Sequence, residues 1–95
     1  SDIVGYTEIS SKLSPTKVSD LLHRLYSKFD HLCEEYHVFK VETVGDAYMC
    51  VTNLSTPQKN HARIMAQFSF AAVKATSETL VDEEDPSKGT VQIRV

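Results

Sequence analysis

Positive charge, cysteine and long apolar runs are all scarce in this sequence of 95 residues. No stretch approaches the roughly 20 consecutive apolar residues of a membrane-spanning helix, so we expect no direct membrane contact by this segment. Ten lysine and arginine residues stand against thirteen acids and leave a net charge of −3. The chain therefore lacks the basic surface that binds a nucleic-acid backbone, and we expect no nucleic-acid partner.

The two cysteines, Cys33 and Cys50, both have apolar neighbours, one in a helical pattern and the other in a strand pattern. A buried free thiol is commoner than a disulfide in such surroundings. We therefore interpret both as free thiols. Free thiols suit a reducing compartment, so we expect a cytoplasmic protein or the cytoplasmic domain of a membrane protein.

The composition, with 41% hydrophobic and 24% charged residues, is that of one globular unit. The sequence opens and closes directly on strand-like residues, without a polar tail at either end. We therefore expect residues 1–95 to be a partial domain, truncated at both ends.

Four segments have the alternating, β-branched character of strands. Residues 2–4 and 90–95 are predicted strands at the two ends of the chain. Residues 38–43 and 47–52 are predicted to pair as a hairpin around Gly45-Asp46, a common turn sequence.

Two longer segments have the three- and four-residue apolar spacing of amphipathic helices. Ser14-Pro15 supplies an N-cap and a first-turn proline for a helix that runs to Tyr36. A second helix is predicted over residues 60–81. The segments 53–59 and 82–89 are predicted loops, and the acidic second loop is expected to be a solvated connector.

The order βαββαβ predicts an α+β, ferredoxin-like sheet with two helices on one face. In the usual strand order of this fold, the first strand lies between the third and fourth and runs antiparallel to the third. Asp2 closes the first strand and Asp46 opens the third. We therefore expect these carboxylates on neighbouring strands, about 5 Å apart in backbone spacing.

Two converging carboxylates are suitable ligands for Mg²⁺, which usually takes one or two of them together with substrate phosphates. Asp2 and Asp46 would hold a pair of Mg²⁺ or Mn²⁺ ions, and the main-chain carbonyl of Ile3 would add a ligand. The N–H groups of residues 5–8 would face phosphate, and Thr7 would add a hydroxyl. This pattern predicts a phosphoryl-transfer enzyme acting on a nucleoside triphosphate.

Each of these residues also has a purely structural interpretation. Asp46 is an ordinary hairpin-turn residue, Asp2 an ordinary strand end, and Gly5 a common exit from a strand. The convergence of the two aspartates favours the metal site. Glu42 is either a solvent-facing strand residue or a base selector, because its carboxylate can accept the N1–H and N2–H₂ donors of guanine and adenine offers no matching pair.

Two motifs carry a family resemblance: Ser1-Asp2-Ile3-Val4-Gly5-Tyr6-Thr7 and Lys40-Val41-Glu42-Thr43-Val44-Gly45-Asp46-Ala47-Tyr48-Met49. They resemble the catalytic domain of class III nucleotide cyclases, guanylate cyclases in particular, and the likeness runs over essentially the whole chain. It implies that Asp2, Ile3 and Asp46 bind two metal ions. It also implies that Glu42 selects guanine, at a position where adenylate cyclases commonly have lysine.

The resemblance places Gly5, Tyr6 and Thr7 among the substrate-binding residues, although Tyr6 stands where the family usually has phenylalanine. The implied reaction is attack of the ribose 3′-oxygen of GTP on its α-phosphorus, which gives 3′,5′-cyclic GMP and pyrophosphate. Family active sites form between two such domains. A second cyclase domain, identical or related, is therefore the expected partner, and this segment alone is expected to be inactive.

Four other functions share parts of the pattern. An adenylate cyclase would need a second selector residue that overrides Glu42. A polymerase palm or a diguanylate cyclase uses the same pair of aspartates, but the acidic charge argues against a polymerase. A cyclase-like dimerisation or regulatory domain without catalysis is disfavoured because both Asp2 and Asp46 are retained.

Overall fold

Four short strands and three helices form the part of the chain that the computed structural model describes, residues 1–54 and 57–95. The strands are β1 (Asp2–Ile3), β2 (Phe39–Val44), β3 (Ala47–Val51) and β4 (Ile93–Arg94). The helices are α1 (Tyr6–Lys12), α2 (Pro15–Tyr36) and α3 (His61–Ser77), and a 3₁₀ turn covers Pro86–Lys88. The α+β class and the predicted order of the long elements are confirmed.

β1 lies between β3 and β4. It pairs antiparallel with β4, and on its other side Ser1 exchanges two backbone hydrogen bonds of 2.9 Å with Tyr48 of β3. β2 and β3 pair antiparallel as the predicted hairpin, and Gly45 adopts a φ of 56° in the turn, a value that favours glycine. The described strands form two two-stranded sheets, β2-β3 and β1-β4, and the hydrogen bonds between Ser1 and Tyr48 join them with β1 beside β3, in the central position predicted for the first strand.

α2 has the boundaries that its capping sequence predicts. The Ser14 hydroxyl accepts the Lys17 N–H at 3.3 Å, and Pro15 occupies the first turn. The helix ends where His37 takes a left-handed conformation with φ 57° and donates its N–H to the carbonyl of Cys33. No helix in the described ranges combines the length and apolar character needed to cross a bilayer.

The core lies where α2 and α3 meet each other and the strands. Phe29 of α2 packs edge-on against Tyr48 of β3, with ring centroids 5.2 Å apart. The fully buried side chains come from strands, from helices and from the segment before β4: Ile3, Leu21, Leu25, Phe29, Tyr48 and Val91. One core therefore fixes β1 and β3 relative to α2.

The short helix α1 is a correction, since the sequence predicted two helices and not three. Its N-cap is Gly5, which offers no side-chain hydrogen bond, and none of its residues is fully buried. Ile9 packs on the edge of the core. The stronger capping signal at Ser14-Pro15 pointed only to α2, because α1 lacks both a capping side chain and a buried stripe.

The second predicted helix is also too long, because α3 ends at Ser77 and not at residue 81. Leu80 pairs instead with Thr90 in an antiparallel bridge, and Val81 donates its N–H to the Gly89 carbonyl at 3.0 Å. The apolar spacing continued past the helix because Val81 is buried through this extended pairing. Part of the predicted loop 53–59, residues 55 and 56, lies outside the described residues.

The acidic loop 82–89 is not the wholly solvated connector that was predicted. Asp82 is only 4% exposed, and its carboxylate lies 2.7 Å from the Lys17 ammonium of α2. The Glu84 N–H also donates to Asp82, at 3.0 Å. The guanidinium of Arg24 in α2 lies 3.3 Å from the carboxylate of Glu83. Basic residues of α2 therefore hold this loop against the helix, because a buried carboxylate requires partners.

Replacing Asp82 with asparagine should destabilise the protein in a pH-dependent way. The hydrogen bond from Lys17 lowers the pKa of Asp82 in the folded state against the opposing effect of burial. In the unfolded chain the pKa of Asp82 is about 3.9. Because the pKa in the folded state is lower, the ionised carboxylate stabilises the fold at pH values above about 3.9. This stabilisation is lost as the pH falls through the folded-state pKa. Urea unfolding should therefore show a wild-type advantage at pH 7 that shrinks at pH 3.

The matched control is Glu84→Gln, because Glu84 lies 3.6 Å from the same ammonium but is 83% exposed at its side chain. Exposed ion pairs contribute little, so this variant should resemble wild type at both pH values. If the wild type were more stable than Asp82→Asn by the same free energy of unfolding at pH 7 and at pH 3, the role of the Asp82 carboxylate would be contradicted.

Leu25→Asp should unfold the protein, because Leu25 is fully buried in the apolar stripe of α2. Loss of a core leucine alone costs about 2–5 kcal/mol, a large part of a total stability of about 5–15 kcal/mol. The buried charge adds to that loss. Circular dichroism and urea unfolding would check this, with Leu54→Asp as the control since Leu54 is 61% exposed. Equal effects of the two substitutions would disprove the assigned core.

Candidate functional site

The candidate site lies at the corner where β1 ends and the β2–β3 hairpin turns. The Ile3 N–H donates to the carboxylate of Asp46 at 3.1 Å, and Asp46 is half-buried. Since Ser1 pairs with Tyr48, the antiparallel register sets Ile3 opposite Asp46. The Ile3 N–H thus faces β3, where the Asp46 side chain accepts it. This contact shows that the motifs of residues 1–7 and 40–49 meet in the folded chain.

The direction of the Ile3 carbonyl follows from the same register. The Val4 N–H donates to the carbonyl of Gln92 at 2.8 Å, so the polar groups of Val4 face β4. Successive residues in an antiparallel strand turn their N–H and C=O groups to opposite sides. The carbonyl of Ile3 therefore faces the side of β1 on which Asp46 lies, as the predicted metal ligand requires.

Asp2 makes a different contact, with Arg94 across the β1–β4 pair. The Arg94 guanidinium donates to the two carboxylate oxygens of Asp2, at 2.8 Å from Nε and 3.3 Å from Nη2. This hydrogen bond and the charge of Asp2 raise the pKa of Arg94, and the charge of Asp46 adds to the effect. The positive charge of Arg94 therefore acts on both aspartates.

Arg94 was not identified from the sequence as a site residue. The signal that could have found it is the register of β1 with β4, in which Asp2 and Arg94 are direct partners. An opposite-charge pair at directly opposed positions is a favourable cross-strand pair.

The oxygen donors at this corner fit a divalent cation. No three histidine, cysteine, aspartate or glutamate side chains converge as a metal site within residues 1–54 and 57–95. Mg²⁺ does not need such a cluster, because it commonly combines one or two carboxylates with substrate phosphates. The carboxylates of Asp2 and Asp46 and the carbonyl of Ile3 are hard oxygen donors of this kind. An open cavity of about 420 Å³ lies beside Asp2 and is lined by Ser1, Asp2, Ala47, Arg94 and Val95.

Gly5, Tyr6 and Thr7 follow directly after β1. Gly5 takes a left-handed conformation with φ 69° and ψ 25°, and its carbonyl accepts the Ile9 N–H in the first turn of α1. This conformation explains the glycine without any ligand. Tyr6 is half-buried and packs on the core, whereas Thr7 is exposed. Their predicted contacts with substrate remain predictions.

A β-bulge at Val41 decides which way Glu42 points. Lys40 pairs with Cys50 but Glu42 pairs with Met49, so β2 advances two residues while β3 advances one. Paired residues share a face of the sheet, and Lys40 lies on the helix side, 3.1 Å from Asp30 of α2. The bulge therefore places Glu42 on the opposite, open face with Met49, which is 48% exposed.

The hairpin is anchored to α2 through Tyr48. The Tyr48 hydroxyl donates to Asp30 at 2.6 Å and contacts the sulfur of Cys33 at 3.3 Å. Burial raises the pKa of Tyr48, and the hydrogen bond to Asp30 raises it further. Burial opposes ionisation of Asp30, but hydrogen bonds from Tyr48 and Lys40 lower the pKa of Asp30 overall. The Tyr48 hydroxyl is thus a hydrogen-bond donor that fixes β3 on α2.

Cys33 and Cys50 are free thiols, as predicted. Cys33 is buried and Cys50 is half-buried. Burial raises the pKa of both thiols. Both thiols therefore remain protonated at neutral pH.

A second tyrosine of α2, Tyr26, contacts the turn itself. Its hydroxyl donates to the carbonyl of Gly45 at 2.9 Å. Burial raises the pKa of Tyr26 to about 12, with further contributions from Asp46 and Tyr6. The hydroxyl is therefore protonated at neutral pH and available as a hydrogen-bond donor.

Comparison with known proteins identifies relatives over the whole chain. Residues 1–95 match the family described as adenylate and guanylate cyclase catalytic domain. The receptor-type guanylate cyclase gcy-28 of Caenorhabditis elegans is 46% identical over 71 residues, which cover 75% of this chain and 6% of that protein. The guanylate cyclase soluble subunit beta-2 of Rattus norvegicus is 38% identical over 96 residues, covering 100% of this chain and 14% of that protein.

Solved structures show the same fold. The guanylate cyclase domain of RhGC from Catenaria anguillulae, solved in complex with GTP, matches with a TM-score of 0.83 and 27% identity. That match covers 95% of this chain and 47% of the other chain. The monomeric guanylyl cyclase domain of RhoGC from Blastocladiella emersonii matches with a TM-score of 0.84 and 27% identity, over 95% of this chain and 50% of the other. The chain thus spans about half of these solved domains.

Proposed function

The chain belongs to the family of adenylate and guanylate cyclase catalytic domains, and we propose that it is the N-terminal portion of a guanylate cyclase catalytic domain. The activity of that domain is the conversion of GTP into 3′,5′-cyclic GMP and pyrophosphate. The observation that carries the proposal is the corner where Asp46 accepts the Ile3 N–H beside Asp2. Further support comes from relatives named as guanylate cyclases, at 46% and 38% identity.

In this proposal Asp2, Asp46 and the Ile3 carbonyl hold two divalent ions, Mg²⁺ or Mn²⁺. When bound, such ions lower the pKa of the attacking ribose 3′-hydroxyl and offset the charge of the leaving pyrophosphate. The hydrogen bond from Ile3 orients the Asp46 carboxylate. Arg94 orients the Asp2 carboxylate, and its guanidinium adds positive charge beside the triphosphate. Gly5, Tyr6 and Thr7 contact the substrate where the chain leaves β1.

Glu42 selects the base in this proposal. Its carboxylate lies on the open face of the hairpin, because the bulge at Val41 turns it away from α2. A carboxylate accepts the N1–H and N2–H₂ donors of guanine together, a pair that adenine lacks. A hydrogen bond to a charged group contributes about 1.5–3 kcal/mol, enough to separate the two nucleotides.

The partner in this proposal is a second cyclase domain, identical or related. The open face and edge of the hairpin expose apolar side chains, among them Val44 at 59%, Val41 at 50% and Met49 at 48%. Exposed apolar patches of this kind mark surfaces that a partner covers. Soluble guanylate cyclase subunits of both the alpha and the beta type are among the relatives.

Substituting Asp46 tests the metal site in the complete catalytic domain. Asp46→Asn keeps an oxygen that can accept the Ile3 N–H but removes the negative charge. We therefore expect an unchanged fold, loss of Mn²⁺ binding in calorimetry with a GTP analogue, and a fall in turnover that exceeds the loss of about 10- to 100-fold typical of removing an outer partner of a ligand. Asp20→Asn is the control, since Asp20 is an exposed carboxylate on α2. Full activity of Asp46→Asn would refute the assignment of Asp46 as a ligand.

The nucleotide specificity is tested by cyclic nucleotide production from GTP and ATP, offered separately with Mn²⁺ and then Mg²⁺. Wild-type protein should prefer GTP. Glu42→Lys should lower kcat/KM for GTP by about 10- to 100-fold, the equivalent of one hydrogen bond to a charged group, and should affect ATP less. Glu34→Lys is the matched control, because Glu34 is exposed on α2.

Each other outcome of this assay points to a different function. Preference of the wild type for ATP would make the protein an adenylate cyclase and give base selection to other residues. Equal losses for GTP and ATP in Glu42→Lys would make Glu42 a structural residue. No product from either nucleotide, in a folded and dimeric protein, would indicate a regulatory partner domain.

A further inference from the structure

Tyr26 lies beneath the turn that carries Asp46, although it belongs to neither of the two sequence motifs. Its hydroxyl donates to the carbonyl of Gly45, the residue immediately before Asp46, at 2.9 Å. We propose that Tyr26 is a positioning residue, which holds the Gly45-Asp46 peptide in the orientation that the Asp46 carboxylate needs. Its effect on turnover rests on the proposed cyclase function, but its effect on the turn does not.

Beyond the pairing of Val44 with Ala47 across the hairpin, the turn has few other restraints. Every residue of β2 is exposed, and Gly45 is exposed as well. Within the described ranges, side-chain hydrogen bonds connect residues 44–47 to the rest of the protein at two points. One is the bond from Tyr26 to Gly45, and the other is the bond from Ile3 to Asp46. The two bonds therefore act on adjacent residues and together fix the turn.

The hydrogen bond from Tyr26 acts on Asp46 through a rigid unit. The Gly45 carbonyl and the Asp46 nitrogen belong to one planar peptide group, so holding the carbonyl oxygen holds the plane that ends at the Asp46 Cα atom. Glycine tolerates many backbone conformations, and at Gly45 it leaves this plane free to rotate once the bond is lost. The direction of the Asp46 side chain would then vary as the peptide plane between Gly45 and Asp46 rotates.

Tyr26 is itself well fixed. Its ring packs against Tyr48 at a centroid distance of 5.4 Å and against Phe29 at 6.3 Å. Phe29 and Tyr48 are both buried in the core. The hydroxyl of Tyr26 therefore projects from the packed core onto the turn and connects the position of Asp46 with that of α2.

The test uses Tyr26→Phe in the complete catalytic domain, with Tyr36→Phe as the matched control. Phenylalanine keeps the ring and removes only the hydroxyl. Tyr36 lies on the same helix, is half-buried and packs against Phe68, and its hydroxyl has no hydrogen bond within residues 1–54 and 57–95. Thermal unfolding establishes that both variants are folded.

The first readout is hydrogen exchange of the Ile3 amide, which reports on the Asp46 carboxylate because that carboxylate is its acceptor. We expect exchange to be several-fold faster in Tyr26→Phe than in wild type and unchanged in Tyr36→Phe. The second readout is the Mn²⁺ concentration that gives half-maximal cyclisation of GTP. Loss of an outer partner of a ligand weakens metal binding by about 10- to 100-fold, so this concentration should rise about 10-fold, with a smaller fall in kcat at saturating Mn²⁺.

Unchanged exchange at Ile3 in Tyr26→Phe would overturn the proposal, as would equal changes in both variants. A loss of thermal stability without a change in the Mn²⁺ requirement would also overturn it, because Tyr26 would then be only structural. Failure of the proposed function has a different signature. If wild-type protein neither binds Mn²⁺ nor cyclises GTP, faster exchange at Ile3 in Tyr26→Phe alone still supports the link between Tyr26 and Asp46.

Discussion

The position of β1 between β3 and β4 is the constraint on which the candidate site depends. Ser1 pairs with Tyr48 on one side of β1, and Val4 pairs with Gln92 on the other. Because peptide groups alternate in direction along an antiparallel strand, this double pairing turns the polar groups of Ile3 toward Asp46. A shift of β1 by one residue would turn each of its peptide groups to the opposite side of the strand. The Ile3 carbonyl would then face away from the Asp46 carboxylate.

The two aspartates are held by contacts of different strength, and the difference suits a site that exchanges charged ligands. Arg94, the partner of Asp2, is 69% exposed at its side chain. Exposed ion pairs contribute little to stability, so another charged group can replace the guanidinium at little cost. Asp46 is bound to the main chain of Ile3, on a turn that Tyr26 holds from below. The Asp46 carboxylate is thus fixed, and the contact of the Asp2 carboxylate is readily exchanged.

The parts of the fold that the sequence predicted correctly are those with local signals. The cap at Ser14-Pro15 predicted the start of α2, and the Gly45-Asp46 pair predicted the hairpin. The contacts that were missed join distant residues, such as Lys17 with Asp82 and Asp2 with Arg94, which are 65 and 92 positions apart. Local periodicity carries no information about such partners, so the acidic loop was predicted as solvated and Arg94 was not assigned to the site.

The hairpin is anchored to α2 on one face and open on the other, and the bulge at Val41 decides which side chains lie on each face. The inner face of β3 is fixed because Tyr48 packs on Phe29 and donates to Asp30. In a regular strand Glu42 would share the face of Lys40 and point toward α2. The extra residue breaks this alternation at the cost of one pairing position in an exposed strand, where water can satisfy the backbone. The same strand pair can therefore bind the core on one side and carry Glu42 on the other.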